Sequence, residues 1–292
     1  MTGRLPAAHF LLALVVVAVW GTNFVVIKLA LPTLSPLLLG VLRFTLVLLP
    51  AALFVPLPAV PWRKLAAYGV LIGSGQFGLL YLSLNGFIAP GLASLVIQTQ
   101  VFFTIGLAMA ADGERVRPHQ WVALLLATVG IAVIASNTGG DITLTGLAMV
   151  LTGALCWAGG NQVARSMGRV QMLGVVVWSS CFALPPLLAL SLFFEGPQRI
   201  SQGLMAANTT VWAAVVWQAV GNSLFGYAAW GWLMARHPAA TIAPMALLVP
   251  VFGMGAAAWF LSESLPAWKL TAAALVLSGL ALNLLWPQQR ST

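Results

Sequence analysis

Two short stretches hold the side chains best suited to gripping a small molecule: VWGTNFVVIK at 19–28 and CWAGGNQVAR at 156–165. Each sets a Trp (Trp20, Trp157) ahead of an Asn (Asn23, Asn161), with a cation eight residues after the Trp (Lys28, Arg165), and the stretches stand 137 positions apart. An indole is rigid, flat and amphipathic. It can stack on a ring or an alkyl chain while a nearby carboxamide both donates and accepts. Tyr81, Gln98, Trp178, Tyr227 and Trp230 offer the same chemistry inside apolar runs. Gln98 and Gln100 differ by about 200° around a helix, two steps of ~100°. Both are therefore not expected to face one space, and Gln98 is preferred.

This is binding chemistry rather than bond-making chemistry. All five acids (Asp112, Glu114, Asp141, Glu195, Glu263) and all three histidines (His9, His119, His237) fall between apolar runs or at their ends. No Gly-rich phosphate loop, nucleophile elbow or HExxH occurs, and Cys156 and Cys181 lack the paired spacing of a metal or redox site. No metal, no cofactor and no enzymatic activity are expected. A cluster of acids at one face would have marked an integral membrane enzyme, and Asp112 with Glu114, flanked by Arg115 and Arg117, suits a charged turn better.

The elements that position these residues follow from composition. Of 292 residues, 61% are hydrophobic and 6% charged, with a mean hydropathy of +0.99. Soluble domains carry about 25% charged residues, so lipid must be the solvent for much of this chain. The net charge of +8 is spread singly or in pairs between apolar runs, not gathered into the basic stripe that nucleic acid requires. The partners expected are the bilayer and a small molecule.

A helical span needs about 20 mostly apolar residues. Ten are expected, at roughly 8–31, 36–56, 65–86, 91–111, 119–136, 144–166, 173–194, 210–234, 239–261 and 267–286. Runs without strict alternation exclude a β-barrel, and unpaired backbone in hydrocarbon excludes everything but helices. The first run is too long for a signal-peptide core and has no small-residue cleavage site, so it reads as a retained span. With ten spans both termini share a side. That side holds Arg4, Arg63, Lys64, Arg115, Arg117, Arg165, Arg169, Arg236 and Arg290, against Arg199 and Lys269 opposite. Positive charge marks the cytoplasmic face, so both termini are expected there, in a multi-pass protein of a bacterial inner membrane. Trp62, Trp121, Trp212, Trp259, Trp268 and Trp286 near span ends suit headgroup anchors.

The chain also repeats itself. Phe77–Gly78 returns as Phe225–Gly226 at an offset of 148; Phe103 meets Phe252, Glu114 meets Glu263 and Gly130 meets Gly279 at 149; Pro50 meets Pro185 at 135. Five spans per copy is odd, so the second copy enters the membrane from the opposite side, an arrangement found in many secondary transporters. The expected fold is an all-α membrane protein of ten transmembrane helices in two inverted five-helix repeats, residues 1–140 and 141–292.

GVLRFTLVLL in the second span, and MAADGERVRPHQWVALLLATVGIAVI paired with AAWFLSESLPAWKLTAAALVLSGLAL, resemble the drug/metabolite transporter superfamily, EamA branch. Within it the chain looks most similar to the bacterial YddG-type amino-acid exporters. The resemblance implies metabolite export, with amino acids, aromatic and other neutral ones favoured, as substrates; alternating access between two related conformations is expected from the inverted repeat, and a monomer is expected. Nucleosides, sugars and drugs remain open as alternatives, since Trp-rich cavities accept many flat molecules. The chain departs from its own repeat at Arg43, whose counterpart is Trp178. Lys28 and Arg43 either snorkel to the interface or meet a substrate carboxylate at the outer mouth. Pro244 and Pro250 lie inside one span, where each removes a backbone donor; a static kink, a gating bend or carbonyls offered to substrate would all follow. No acid or His falls within a span, so no intramembrane carboxylate is expected to couple transport to protons.

Overall fold

The computed structural model describes residues 5–112, 118–237 and 239–285. Arg4, Glu114, Arg115, Arg117, Trp286 and Arg290 lie outside the described residues, as does the side chain of Asp112. Nine helices among the described residues are long and apolar enough to cross a membrane. Between the seventh and the eighth of these, counted along the chain, lies one more continuous helical stretch, Thr209–Arg236, whose Gln218, Asn222 and Ser223 dilute its hydropathy. Together they make the ten spans of an all-α membrane protein in two inverted five-helix repeats.

Local chemistry explains the boundaries. Proline opens the second and fourth spans at Pro36 and Pro90, where a missing N–H leaves nothing unsatisfied. Thr143 and Asn208 cap the sixth and eighth, their side-chain oxygens accepting from Gly146 N and Val211 N at 3.0 and 3.1 Å. The short connection NGFIAPG works because Gly86 takes φ +98°, a left-handed conformation that only glycine adopts cheaply. One stretch departs from expectation. Gly196–Ala206, expected to be loop, is a helix set off from the seventh span by Gly196 at φ +79°. Its Gly203 lies against the Thr33 carbonyl and Leu34, over the start of the second span.

The packing repeats with the sequence. The first span packs on the ninth and the sixth on the fourth; the third packs on the seventh and the eighth on the second; the fifth pairs with the tenth. Helix irregularities repeat too. The third span is α over Trp62–Tyr68, π over Gly69–Phe77 and α again over Gly78–Leu84. The eighth is α over Thr209–Val216, π over Trp217–Phe225 and α over Gly226–Arg236. The fourth and ninth each carry a 3₁₀ turn, Ile97–Thr99 and Ala243–Leu247. Wide and tight turns both free backbone groups and redirect side chains. The third span is pressed closely by the seventh: a Cβ on Gly69 would stand 2.1 Å from the Ser179 carbonyl oxygen, and one on Gly73 2.2 Å from Ala183 Cβ.

Candidate functional site

A cavity of about 520 Å³ lies between the repeats, within the range of small-molecule sites. Its deepest walls come from mid-span residues of the first, third, fourth, sixth and eighth spans. Its other lining residues include Ala164, Met172, Met234 and Leu284, at the ends of helices on the side of the two termini. The space therefore opens toward that side.

The opposite end is held shut by polar clasps. Lys28 donates from Nζ to the Leu84 carbonyl at 3.0 Å, capping the third span where helix carbonyls lack partners. The Glu195 carboxylate accepts from Ser35 Oγ (2.7 Å), Ser191 Oγ (2.6 Å), Leu37 N (2.7 Å) and Leu38 N (3.1 Å), so it sits on the positive N-terminus of the second span. Glu263 does the same for the fourth, accepting from Gly91 N at 3.0 Å. Lys269, wholly buried, binds Glu263 at 3.0 Å and Asp141 at 2.6 Å. Two backbone bonds, Ala89 N to Asp141 O (2.7 Å) and Thr143 N to Phe87 O (2.8 Å), join the neighbouring loops.

Seven of the residues singled out in the sequence come together in the cavity wall: Trp20, Asn23, Gln98, Trp157, Asn161, Tyr227 and Trp230. Trp20 is fixed by donating from Nε1 to the Asn222 carbonyl at 3.1 Å, a group within the π segment of the eighth span. Its ring lies 5.2 Å from Trp230 and 5.8 Å from Tyr227, forming one aromatic wall. That wall needs Gly226, where a Cβ would stand 2.4 Å from Trp20 Nε1. Opposite, Asn161 donates to Gln100 Oε1 at 2.9 Å, linking the sixth span to the fourth, a bond typically worth about 0.6 kcal/mol in a membrane. Asn23 Oδ1 and Gln76 Oε1 are buried with no partner, so both amides keep unused hydrogen-bonding capacity at the wall.

Other expectations are corrected. Gln100 lines the cavity together with Gln98. The 3₁₀ turn advances each residue by about 120° rather than 100°, which narrows the angle between the two side chains. Tyr81 is fully buried outside the cavity wall; its hydroxyl donates to Gln218 Oε1 and accepts from Arg43 Nη1 at 2.8 Å. Trp178 also stands apart, its Nε1 donating to the Val55 carbonyl at 3.0 Å. Arg43 neither snorkels nor reaches an outer mouth. It is 1% exposed, donating to Ser223 Oγ at 2.8 and 3.2 Å, with its guanidinium carbon 3.8 Å from the Phe77 ring centre. Pro244 starts the 3₁₀ turn and Pro250 lies buried in the helix after it. Having no N–H, Pro250 cannot bond to the carbonyl four residues back. That carbonyl, of Ala246, faces the cavity and accepts from Gln98 Nε2 at 3.4 Å. The freed group thus goes to a protein amide.

Gln76, Gln100, Asn222 and Tyr68 belong to the same wall. Tyr68 was not singled out in the sequence at all, since it reads as an ordinary residue near the start of a span. Its neighbours Gly69 and Gly73, which admit the seventh span, were the available signal.

The EamA-like transporter family matches the chain twice, over residues 8–136 and 144–285. A protein of Salmonella typhimurium named a probable amino-acid metabolite efflux pump is 39% identical over 287 residues, covering 96% of each chain. Its namesake in Escherichia coli is 37% identical and covers 93% of each. A solved crystal structure aligns over 98% of both chains with a TM-score of 0.64 at 20% identity, a likeness of fold.

Proposed function

The chain belongs to the EamA-like transporter family, and from that premise we propose that it exports neutral amino acids, aromatic ones foremost, across a bacterial inner membrane. It acts by alternating access, with both termini cytoplasmic, so the conformation described faces the cytoplasm and is ready to load. The observation that carries this reading is the character of the cavity wall. It is built of carboxamides (Asn23, Gln76, Gln98, Gln100, Asn161, Asn222) and of aromatic rings, and none of the described residues lining it is charged. Amides donate and accept alike. They can hold the ammonium and the carboxylate of a zwitterion, whose net charge is zero, while rings stack on its side chain. A cationic or anionic substrate would enter low-dielectric surroundings without a counter-charge, which is costly. The efflux-pump names of the two relatives support the amino-acid class.

Asp141, Glu195 and Glu263 are held by donors at the closed end, away from the cavity lining. The reading therefore includes movement down the substrate's own gradient, without a cavity carboxylate to carry protons. Both repeats of the chain contribute to the wall, and the reading includes a monomer.

Purified protein in liposomes tests this with labelled Trp, Phe, Met, Thr, Lys, Glu and a nucleoside, with and without ion gradients. Flux of Trp and Phe without any ion gradient, slow Lys and Glu, and loss of flux in Trp157→Ala and Asn161→Ala are expected. Nucleoside flux without amino-acid flux would overturn the substrate class. Accumulation driven by a pH gradient alone would overturn the uncoupled mechanism.

A further inference from the structure

Arg43 is a buried cation in a position that its hydrogen bonds do not explain. Every partner it has is neutral: Tyr81 Oη, Ser223 Oγ and the face of Phe77. No carboxylate among the described residues stands within 4.0 Å of it. Arginine cannot shed its proton to escape burial, and a charge taken out of water and left without a counter-ion is among the most unfavourable arrangements in a protein interior. A Gln could tie the same hydroxyls together without that penalty. The repeat sharpens the point, because the matching position in the second copy is the uncharged Trp178. What Arg43 adds to the structure is its positive charge.

Its location says what the charge faces. Tyr68, Phe77 and Tyr227 line the central cavity on one side and, on the other, a crevice of about 10 Å³ against Arg43. One layer of rings thus separates the guanidinium from the cavity. Tyr81, its partner, lies one helical turn before Leu84, whose carbonyl Lys28 holds at the closed end. Arg43 therefore stands beside the cavity, behind this layer of rings, and the crevice as it stands has room for no more than a water.

We propose that Arg43 is the carboxylate-binding group of a second subsite, which takes the substrate after it leaves the central cavity and the Phe77–Tyr227 partition parts. The ligand is the α-carboxylate of an amino acid, so this inference rests on the amino-acid reading above. The planar guanidinium fork matches a carboxylate in bidentate fashion. In the low dielectric of the bundle an unneutralised cation attracts an anion over a longer range than it would in water. Tyr81 and Ser223 hold the fork in place until then.

The test is competition against labelled phenylalanine flux in liposomes, comparing unlabelled phenylalanine with phenylalaninamide, which keeps the ring and amine but lacks the anionic group. Wild type is expected to prefer phenylalanine by about tenfold or more, the scale of a hydrogen bond to a charged group, and Arg43→Gln to narrow that preference to what the uncharged central cavity alone imposes on a cationic ligand. A purely structural tie would lower flux for both compounds and leave their ratio alone, and a wild-type ratio in Arg43→Gln overturns the subsite. Should Arg43→Gln not fold, Ser223→Ala serves instead. It frees two donors of the fork and raises the preference; no rise overturns the proposal. Wild type that carries no amino acid overturns the amino-acid reading and the subsite with it.

Discussion

Aligned at the repeat's offset of 148 positions, the third and eighth spans coincide in backbone and part in side chains. Each is a helix with a nine-residue π segment, Gly69–Phe77 and Trp217–Phe225, and each leaves it through Phe–Gly. Yet Val70 faces Gln218, Ser74 faces Asn222, Leu79 faces Tyr227 and Leu82 faces Trp230 across the repeat. The eighth span brings one residue of its π segment, Asn222, to the cavity and uses that residue's carbonyl to hold Trp20. The third contributes Gln76 and Phe77 to the wall and gives Tyr81 to Arg43. Duplication thus preserves the backbone, a helix with the same widely wound segment in both copies. It leaves the side chains free to differ, and on the proposed function that is expected, since a substrate without two-fold symmetry gains nothing from a symmetric wall.

The largest expected break in this comparison is at the shared glycine. Gly226→Ala drives a methyl into Trp20 and should cost about 2–3 kcal/mol by overpacking, with loss of most tryptophan flux. Gly78→Ala, at the matching position, meets only Leu187 Cδ2 at 3.3 Å and Leu37 at 3.8 Å, and should stay below about 1 kcal/mol. Thermal unfolding in detergent measures both, and equal losses would show that the two spans are not as different as described. Next is Gln218→Val, which copies the third span's residue into the eighth. It strips Tyr81 of its acceptor and should cost about 1–2 kcal/mol for a buried hydroxyl left unpaired. An unchanged midpoint would mean that Tyr81 and Arg43 do not depend on the eighth span. Smaller again, Tyr227→Leu removes one ring of the aromatic wall. Phenylalanine flux should fall about fivefold relative to threonine, from an aromatic contact of about 1 kcal/mol. The mirror change Leu79→Ala, outside the cavity wall, should leave that ratio within about twofold. A drop as large as that of Tyr227→Leu would move the recognition surface into the third span.

Much of this was legible in the residues. The apolar runs, the Pro and Gly breaks and the matching FG pairs prescribe ten spans in two copies, because transfer into lipid is decided segment by segment. The Trp–Asn stretches were readable for a similar reason: a polar side chain in mid-span must face protein or water, so it reports an interior. What could not be read was azimuth. Gln98 and Gln100 reach one wall because a 3₁₀ turn rewinds the helix between them, and no periodicity count at 100° per residue foresees that. Trp178 and Tyr81 had the right chemistry and depth, but their polar atoms are engaged by Val55 and Gln218 from other spans. The helix Gly196–Ala206 was masked by its polar composition, which reads as loop until the second span is there to receive Gly203.

The sequence by itself determined the solvent, the number of spans, the duplication and the inventory of polar groups, since each of these depends on free energies that are local and nearly additive along the chain. Only the tertiary structure decided which of those groups share a cavity, which end is closed by Glu195, Glu263 and Lys269, and that Arg43 is buried with no carboxylate beside it among the described residues. Those outcomes depend on the pairing of helices far apart in the chain, and on departures from α-helical winding that appear only when the helices pack.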